Sequence, residues 1–349
     1  ESLHYLDVSI FNHILSGRIP MKRLFTFILT LTMTFSFCVN SLAAAATTTT
    51  ATETTAATAA RETSADTSNT QATGASYGTS KLSGAPDIVA ESAVVMDAGT
   101  GTVLYGKEAS TKRYPASITK VMTALLAVEN CNMSDIITYS NAAVNGIEAG
   151  SSTAGINVGA KLTVEDSLYA LMLVSANEAA AAIAEHISGS TTEFAKLMAK
   201  RAKELGCKNT QFKNPHGLPD EEHYTTAYDM GLILKEAMKH PEFRKIAGTI
   251  SYTLKKSDSL TDTLELWNHA KILRQNSDYY YEYAKGAKTG FTQVALNTLV
   301  TYAKKDNVEL ICVILKDHGA DKSYTDTANL FKWAFNQVKA VTPLTNFSL

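Results

Sequence analysis

Leu296-Asn297-Thr298-Leu299-Val300-Thr301-Tyr302-Ala303 and Val308-Glu309-Leu310-Ile311-Cys312-Val313-Ile314-Leu315 are two apolar runs split by the polar Lys304-Lys305-Asp306-Asn307. Runs of this length, rich in β-branched residues and joined by a short polar turn, predict an antiparallel hairpin. Upstream, residues 93–96 and 101–106 form a second β-rich pair around Asp97-Ala98-Gly99-Thr100-Gly101. Between the two pairs the period becomes helical. After Pro115 the apolar residues Ile118, Val121, Met122, Leu125 and Leu126 keep the spacing of one helix face. Capping boxes at Thr163-Val164-Glu165-Asp166, Ser190-Thr191-Thr192-Glu193 and Thr226-Ala227-Tyr228-Asp229 mark three helix starts. Gly206 closes the helix over residues 192–205. A last amphipathic helix is expected over residues 324–338. Strands at both ends with helices between them predict an α+β fold: one antiparallel sheet flanked by helices, with a mostly helical lobe inserted.

The rest of the chain sets the compartment. Residues 1–20 read as an upstream extension. Met21-Lys22-Arg23 then opens an apolar, uncharged stretch over residues 24–39, followed by the small residues Ser41-Leu42-Ala43-Ala44-Ala45. This is the three-part layout of a signal peptide over residues 21–43, with cleavage after Ala43 or Ala45. Membrane attachment would then require an uncleaved leader. Residues 44–85 are mostly Thr, Ala and Ser, too poor in large apolar groups to offset the entropy of ordering, and read as a linker. Residues 86–340 remain for a catalytic domain, with 341–349 as a tail. Extracytoplasmic action follows, secreted or wall-associated.

Composition removes several classes. Lys+Arg 32 against Asp+Glu 34 gives a formal net charge of −2, without the basic excess of a nucleic-acid binder. Cys131, Cys207 and Cys312 lack CxxC spacing, and no HExxH occurs, so neither a disulfide framework nor a zinc site is expected.

Three short segments carry chemistry. In Ser117-Ile118-Thr119-Lys120 the i, i+3 spacing puts a hydroxyl and an ammonium on one helix face. Serine needs a base, and lysine can serve when desolvation and nearby positive charge lower its pKa. The bland alternative is a surface lysine one turn after a capping serine. Ser175-Ala176-Asn177 offers a second hydroxyl and an amide, or simply a helix–helix junction. Lys288-Thr289-Gly290 offers a strand edge that grips a carboxylate and lets substrate approach the backbone, or an exposed turn. The three patterns occur once each and in fixed order, Ser175 lying 58 positions after Ser117 and Lys288 a further 113 after Ser175. Their joint occurrence carries what none carries alone.

This trio is the set found in penicillin-binding proteins and class A β-lactamases. The chain resembles the serine-type D-alanyl-D-alanine carboxypeptidases, the low-molecular-mass penicillin-binding proteins, over residues 90–340. Tyr114-Pro115-Ala116-Ser117-Ile118-Thr119-Lys120-Val121-Met122-Thr123, Asn214-Pro215-His216-Gly217-Leu218 and Gly286-Ala287-Lys288-Thr289-Gly290-Phe291-Thr292 are similar to that family's segments. Ser175-Ala176-Asn177-Glu178-Ala179-Ala180 departs from the usual Ser-Gly-Asn-Asp-Ala-Ala, and Ala295-Leu296 stands where Ala-Gly is usual. The resemblance implies the β-lactamase/transpeptidase-like fold, with the site in a cleft between sheet and helical lobe. It also implies a role in peptidoglycan biosynthesis, in cell wall biogenesis and cell shape. It implies Ser117 as acyl nucleophile, Lys120 as its base and Ser175 as proton relay. Asn177, Lys288, Thr289, Gly290 and Phe291 would bind a peptidoglycan stem peptide ending in D-Ala-D-Ala. β-Lactam antibiotics would be covalent inhibitors, and no metal or other cofactor is implied. His216, between Pro215 and Gly217, reads as loop-shaping. Many relatives add a β-rich domain and an amphipathic anchor, both expected to be missing here.

Three rival readings are weighed against this one. A class A β-lactamase needs a deacylating glutamate in a Glu-x-x-Leu-Asn loop, and no such pentad lies between Asn177 and Lys288. A penicillin sensor would need a membrane transducer. A wall-binding module has no use for Ser117 and Lys120 together.

Overall fold

In the computed structural model, residues 80–256 and 260–339 are described. The expected leader and tail, and nearly all of the expected linker, lie outside them. Chain contacts divide the protein between Thr70 and Gln71, and every described residue falls in the second unit.

The two predicted hairpins supply the four central strands of the sheet. β1 (Ser80–Lys81), β2 (Ser92–Asp97) and β3 (Val103–Lys107) come first. After the helical segments, β8 (Ala284–Thr292), β9 (Leu296–Lys305) and β10 (Val308–Asp317) complete six strands in the order β1-β3-β2-β10-β9-β8. Every pairing is antiparallel. The β9–β10 turn is shorter than the four residues expected. Both strands run on until only Asp306-Asn307 remain, with Asp306 in left-handed backbone at φ +53°. Two small hairpins, β4 (Ile136–Thr138) with β5 (Lys161–Thr163) and β6 (Ser251–Leu254) with β7 (Leu264–Trp267), stand apart from this sheet.

The helices are α1 (Lys120–Asn130), α2 (Asn141–Asn145), α3 (Val164–Leu173), α4 (Asn177–Ser188), α5 (Thr191–Glu204), α6 (Ala227–Ala237), α7 (Pro241–Gly248) and α8 (Ala320–Lys339). The three capping residues act as expected: Thr163, Ser190 and Thr226 accept from the backbone N–H of Asp166, Glu193 and Asp229. Gly206, at φ +89°, follows the end of α5. The final helix begins four residues earlier than its apolar period, because its first turn, Ala320-Asp321-Lys322-Ser323, contains no large apolar residue.

The central strands are buried on both faces, so the pleat sorts their side chains into two cores. Val94 and Met96 of β2, with Ile311, Val313 and Leu315 of β10, join the core formed with α1, α3, α4 and α6. Ala93 and Val95, with Leu310, Cys312 and Ile314, join Phe331 and Phe335 of α8 on the other face. One face thus carries the helical lobe and the other a single long helix. This is the expected α+β plan. The inserted lobe abuts β8, the edge strand of the sheet.

Candidate active site

Ser117 sits on a 3-10 turn, Ala116–Thr119, that runs directly into α1. Ala116 has φ +52°, left-handed backbone that a side chain disfavours. Neighbouring segments hold it there. The Thr298 hydroxyl of β9 donates to the Pro115 carbonyl at 2.9 Å. Gly217, at φ +91°, lets the 214–218 loop press on Ala116, and any Cβ there would run into the Ala116 carbonyl. That loop is shaped by Asn214, whose Oδ1 accepts from Gly217 N at 2.7 Å while its Nδ2 donates to Leu218 O at 2.9 Å.

Lys120 occupies the first helical position and is fully buried. Its Nζ lies 3.0 Å from Ser117 Oγ, 2.7 Å from Asn177 Oδ1 and 2.7 Å from the His216 carbonyl. Burial, reinforced by the Lys288 ammonium and opposed by Glu178, holds its pKa well below the ordinary lysine range. The geometry fits the neutral amine. As a neutral amine it can give its two N–H bonds to the two carbonyl oxygens, which can only accept, and turn its lone pair to the Ser117 hydroxyl. A buried cation would instead carry a desolvation cost that Glu178 offsets only in part.

Ser175 lies between α3 and α4, in left-handed backbone at φ +62°. Asn177 opens α4, with its N–H on the Ser152 carbonyl at 2.9 Å. Ala176 between them is buried with φ −57°, a conformation that does not require the family's usual glycine. Lys288 points from β8 into the same region. Its Nζ donates to Ser175 Oγ at 3.1 Å and to the Thr289 carbonyl at 2.8 Å, and burial pushes its pKa down to about 7. The ordered trio of the sequence therefore converges: Ser117, Lys120 and Asn177 are joined by hydrogen bonds, as are Ser175 and Lys288.

These groups border a cavity of about 410 Å³ lined by Ser117, Ser175, Asn177, Thr289, Gly290 and Phe291. The two lysines lie buried behind its surface. Gly290 is required sterically. A Cβ there would come within 2.5 Å of Thr298 Oγ1 and 2.7 Å of Ser117 N. β8 thus passes against the Ser117 amide, and because it is an edge strand one side of its backbone is free of sheet pairing.

Several contributors escaped sequence reading. Ser152, His269, Asn297 and Tyr324 also line the cavity, beside Gly217 of the 214–218 segment already singled out in the sequence. Glu178 is buried, and its Oε1 accepts from Thr153 Oγ1 and Ala154 N, both at 2.7 Å, and from Gly155 N at 3.1 Å. It staples the loop carrying Ser151 and Ser152 to the start of α4. Its adjacency to the Ser-x-Asn pattern was the available signal. His216 contributes its carbonyl to Lys120, while its Nδ1 accepts from Leu218 N at 3.2 Å. Burial and Lys120 hold this ring neutral, with a pKa of about 3. Among the described residues, Glu129, Glu236 and His240 form a cluster with potential metal ligands, but the Arg201 guanidinium already bonds Glu129 there at 2.6–3.1 Å.

Residues 79–319 match the family model of D-alanyl-D-alanine carboxypeptidases. The carboxypeptidase DacF of Bacillus subtilis is 37% identical over 255 residues, covering 71% of this chain and 62% of the relative. DacA of Haemophilus influenzae is 30% identical, with 72% and 63% covered, so the chain spans under two thirds of both curated relatives. A D-alanyl-D-alanine carboxypeptidase crystal structure from Mycobacterium tuberculosis superimposes with TM-score 0.67 at 26% identity, covering 76% of this chain and 97% of that one. A Streptomyces DD-transpeptidase gives TM-score 0.66 at 31% identity, with 72% and 99% covered.

Proposed function

Since the chain belongs to the D-alanyl-D-alanine carboxypeptidase family, we propose that it removes the terminal D-alanine from peptidoglycan stem peptides through a Ser117 acyl-enzyme. The observation that carries this reading is the buried amine of Lys120, 3.0 Å from Ser117 Oγ with its other hydrogen-bonding positions occupied by acceptors.

Lys120 takes the Ser117 proton as Oγ attacks the carbonyl joining the two D-alanines. Negative charge on the carbonyl oxygen is met by the Ser117 and Phe291 backbone N–H groups. Lys288 and Thr289 bind the terminal carboxylate, Gly290 allows the close approach, and Asn177 orients both Lys120 and the acyl chain. As the C–N bond breaks, Ser175 gives its proton to the leaving amine and takes up the one held by Lys120, which returns Lys120 to the neutral amine. Water then attacks the ester, Lys120 removes its proton, and Ser117 regains its own. β-Lactams, which mimic the D-Ala-D-Ala terminus, would acylate Ser117 and inhibit the enzyme. Every step uses groups of the chain, substrate and water, with no metal or organic cofactor.

The catalytic domain on this reading is residues 86–340, exported by the leader over residues 21–43 and carried on the linker over 44–85. The site of action is extracytoplasmic. No helix among the described residues is long and apolar enough to cross a membrane. Incubating the protein with a diacetyl-Lys-D-Ala-D-Ala tripeptide should release D-alanine at a rate abolished by Ser117→Ala. Failure of the wild-type protein to release it would overturn the assignment.

A further inference from the structure

Two further depressions adjoin the catalytic cavity in a row, each sharing a lining tyrosine with its neighbour. Tyr324 lines both the catalytic cavity and a groove of about 510 Å³ that also contains Tyr279, Tyr280 and Asn329. Tyr280 in turn lines both that groove and a third cavity of about 590 Å³, walled by Trp267, Arg274, Gln275, Asn276 and Lys285. The result is one surface track. Its far end carries exposed aromatics: Trp267 is 54% and Tyr280 38% accessible. Tyr279 and Tyr324 lie between, with ring centroids 5.5 Å apart.

The direction of the track separates it from the stem peptide. With the substrate carboxylate at Lys288 and Thr289 and the scissile carbonyl at the Phe291 amide, the acyl chain runs onward toward Thr292. The third cavity lies at the other end of β8, beside Ala284 and Lys285. At about 3.3 Å per strand residue, Lys285 is roughly 10 Å back along β8 from Lys288. A ligand in the track therefore approaches from the leaving-group side.

The lining selects its chemistry. Exposed aromatic rings offer flat apolar faces with polar tips, and side-chain amides offer paired donors and acceptors. A pyranose ring has the matching surface: a C–H face that stacks on an aromatic ring and a rim of hydroxyl and acetamido groups. Arg274 and Lys285 at one end and Lys332 in the groove are interspersed with Asp278 and Glu282, so the track carries both charge signs rather than the uniform positive lining that a polyanion needs.

We infer that the track from Tyr324 through Tyr280 to Trp267 binds the uncharged glycan backbone of the wall polymer, independently of the stem peptide in the catalytic cavity. The inference rests on the proposed wall substrate and adds a second binding site to it. It positions the enzyme on a neighbouring glycan strand while the stem peptide is processed.

The test uses the full chain and β-1,4-linked N-acetylglucosamine oligomers, with peptide-stripped wall glycan, its freed lactyl carboxylates capped as amides, as the insoluble probe. The chain contains only two tryptophans, and Trp333 is buried, so oligomer binding should alter the fluorescence of exposed Trp267. Tyr280→Ala should raise the dissociation constant at least tenfold, and Trp267→Ala should abolish co-sedimentation with stripped glycan. Both variants should release D-alanine from the small tripeptide at the wild-type rate, and prior acylation by penicillin should leave oligomer affinity unchanged. Absence of oligomer and glycan binding by the wild type would overturn the inference, as would equal binding by the variants. Binding of free stem peptide in the track in preference to stripped glycan would also overturn it. Loss of tripeptide turnover in the wild type, with glycan binding intact, would instead refute the carboxypeptidase reading.

Discussion

The pH dependence of acylation exposes Lys288. Burial lowers its pKa from the ordinary lysine value to about 7. The side chain therefore carries its charge below about pH 7 and loses it above. If only the ammonium recognises the substrate carboxylate, the second-order acylation constant falls tenfold per unit above that point. Between pH 7, where half of the side chains are charged, and pH 9 the fall is about 50-fold, or about 2.3 kcal/mol at 1.36 kcal/mol per unit. The same constant falls on the acid side as Lys120 becomes protonated, so the profile is bell-shaped and reports the coupled lysine pair of the free enzyme. Lys288→Arg keeps a cation at every accessible pH and should remove the alkaline limb, with an overall loss of about 1–3 kcal/mol from altered geometry. The assay is acylation by a fluorescent penicillin from pH 5 to 10. A wild-type profile flat to pH 9, or an unchanged alkaline limb in Lys288→Arg, would refute the argument.

Other substitutions test other parts of the site. Lys120→Arg retains charge but cannot accept a proton, and should lower acylation by about 10²–10⁴-fold at every pH, measured with the same penicillin. Gly290→Ala forces a Cβ between Thr298 Oγ1 and Ser117 N, displacing the Phe291 donor. It should cut acylation about 10²–10³-fold and cost about 1–3 kcal/mol in denaturant unfolding. Glu178→Ala strips the carboxylate from the Thr153 hydroxyl and the Ala154 and Gly155 amides and should lower unfolding free energy by about 1.5–3 kcal/mol, while weakening substrate binding through the freed Ser152 loop.

What could be read from sequence was what is local. The three capping boxes act within four residues, and the continuous apolar runs of β9 and β10 follow from burial on both faces, so both were legible before any tertiary contact was known. β8 was not. Ala-Lys-Gly-Ala-Lys-Thr-Gly has little intrinsic strand preference, and its edge position is fixed by pairing with β9 and by the turn that carries Ser117. β6 and β7 are short and partly exposed, so they gave no period. The usual glycine at the position of Leu296 signals backbone rather than packing: Leu296 sits at φ +55°, which glycine adopts without strain. The catalytic types and their order were visible, but the Lys120 contact with the His216 carbonyl was not. A backbone acceptor 96 residues away leaves no side-chain signature.

The central claim is that Ser117 forms a covalent ester with Lys120 as its base. Intact-mass measurement after incubation with penicillin tests it most directly. One penicillin mass should be added to the wild-type protein, mapped by peptide digestion to Ser117. Ser117→Ala should gain none. An adduct on another residue, or its persistence in Ser117→Ala, would contradict the mechanism.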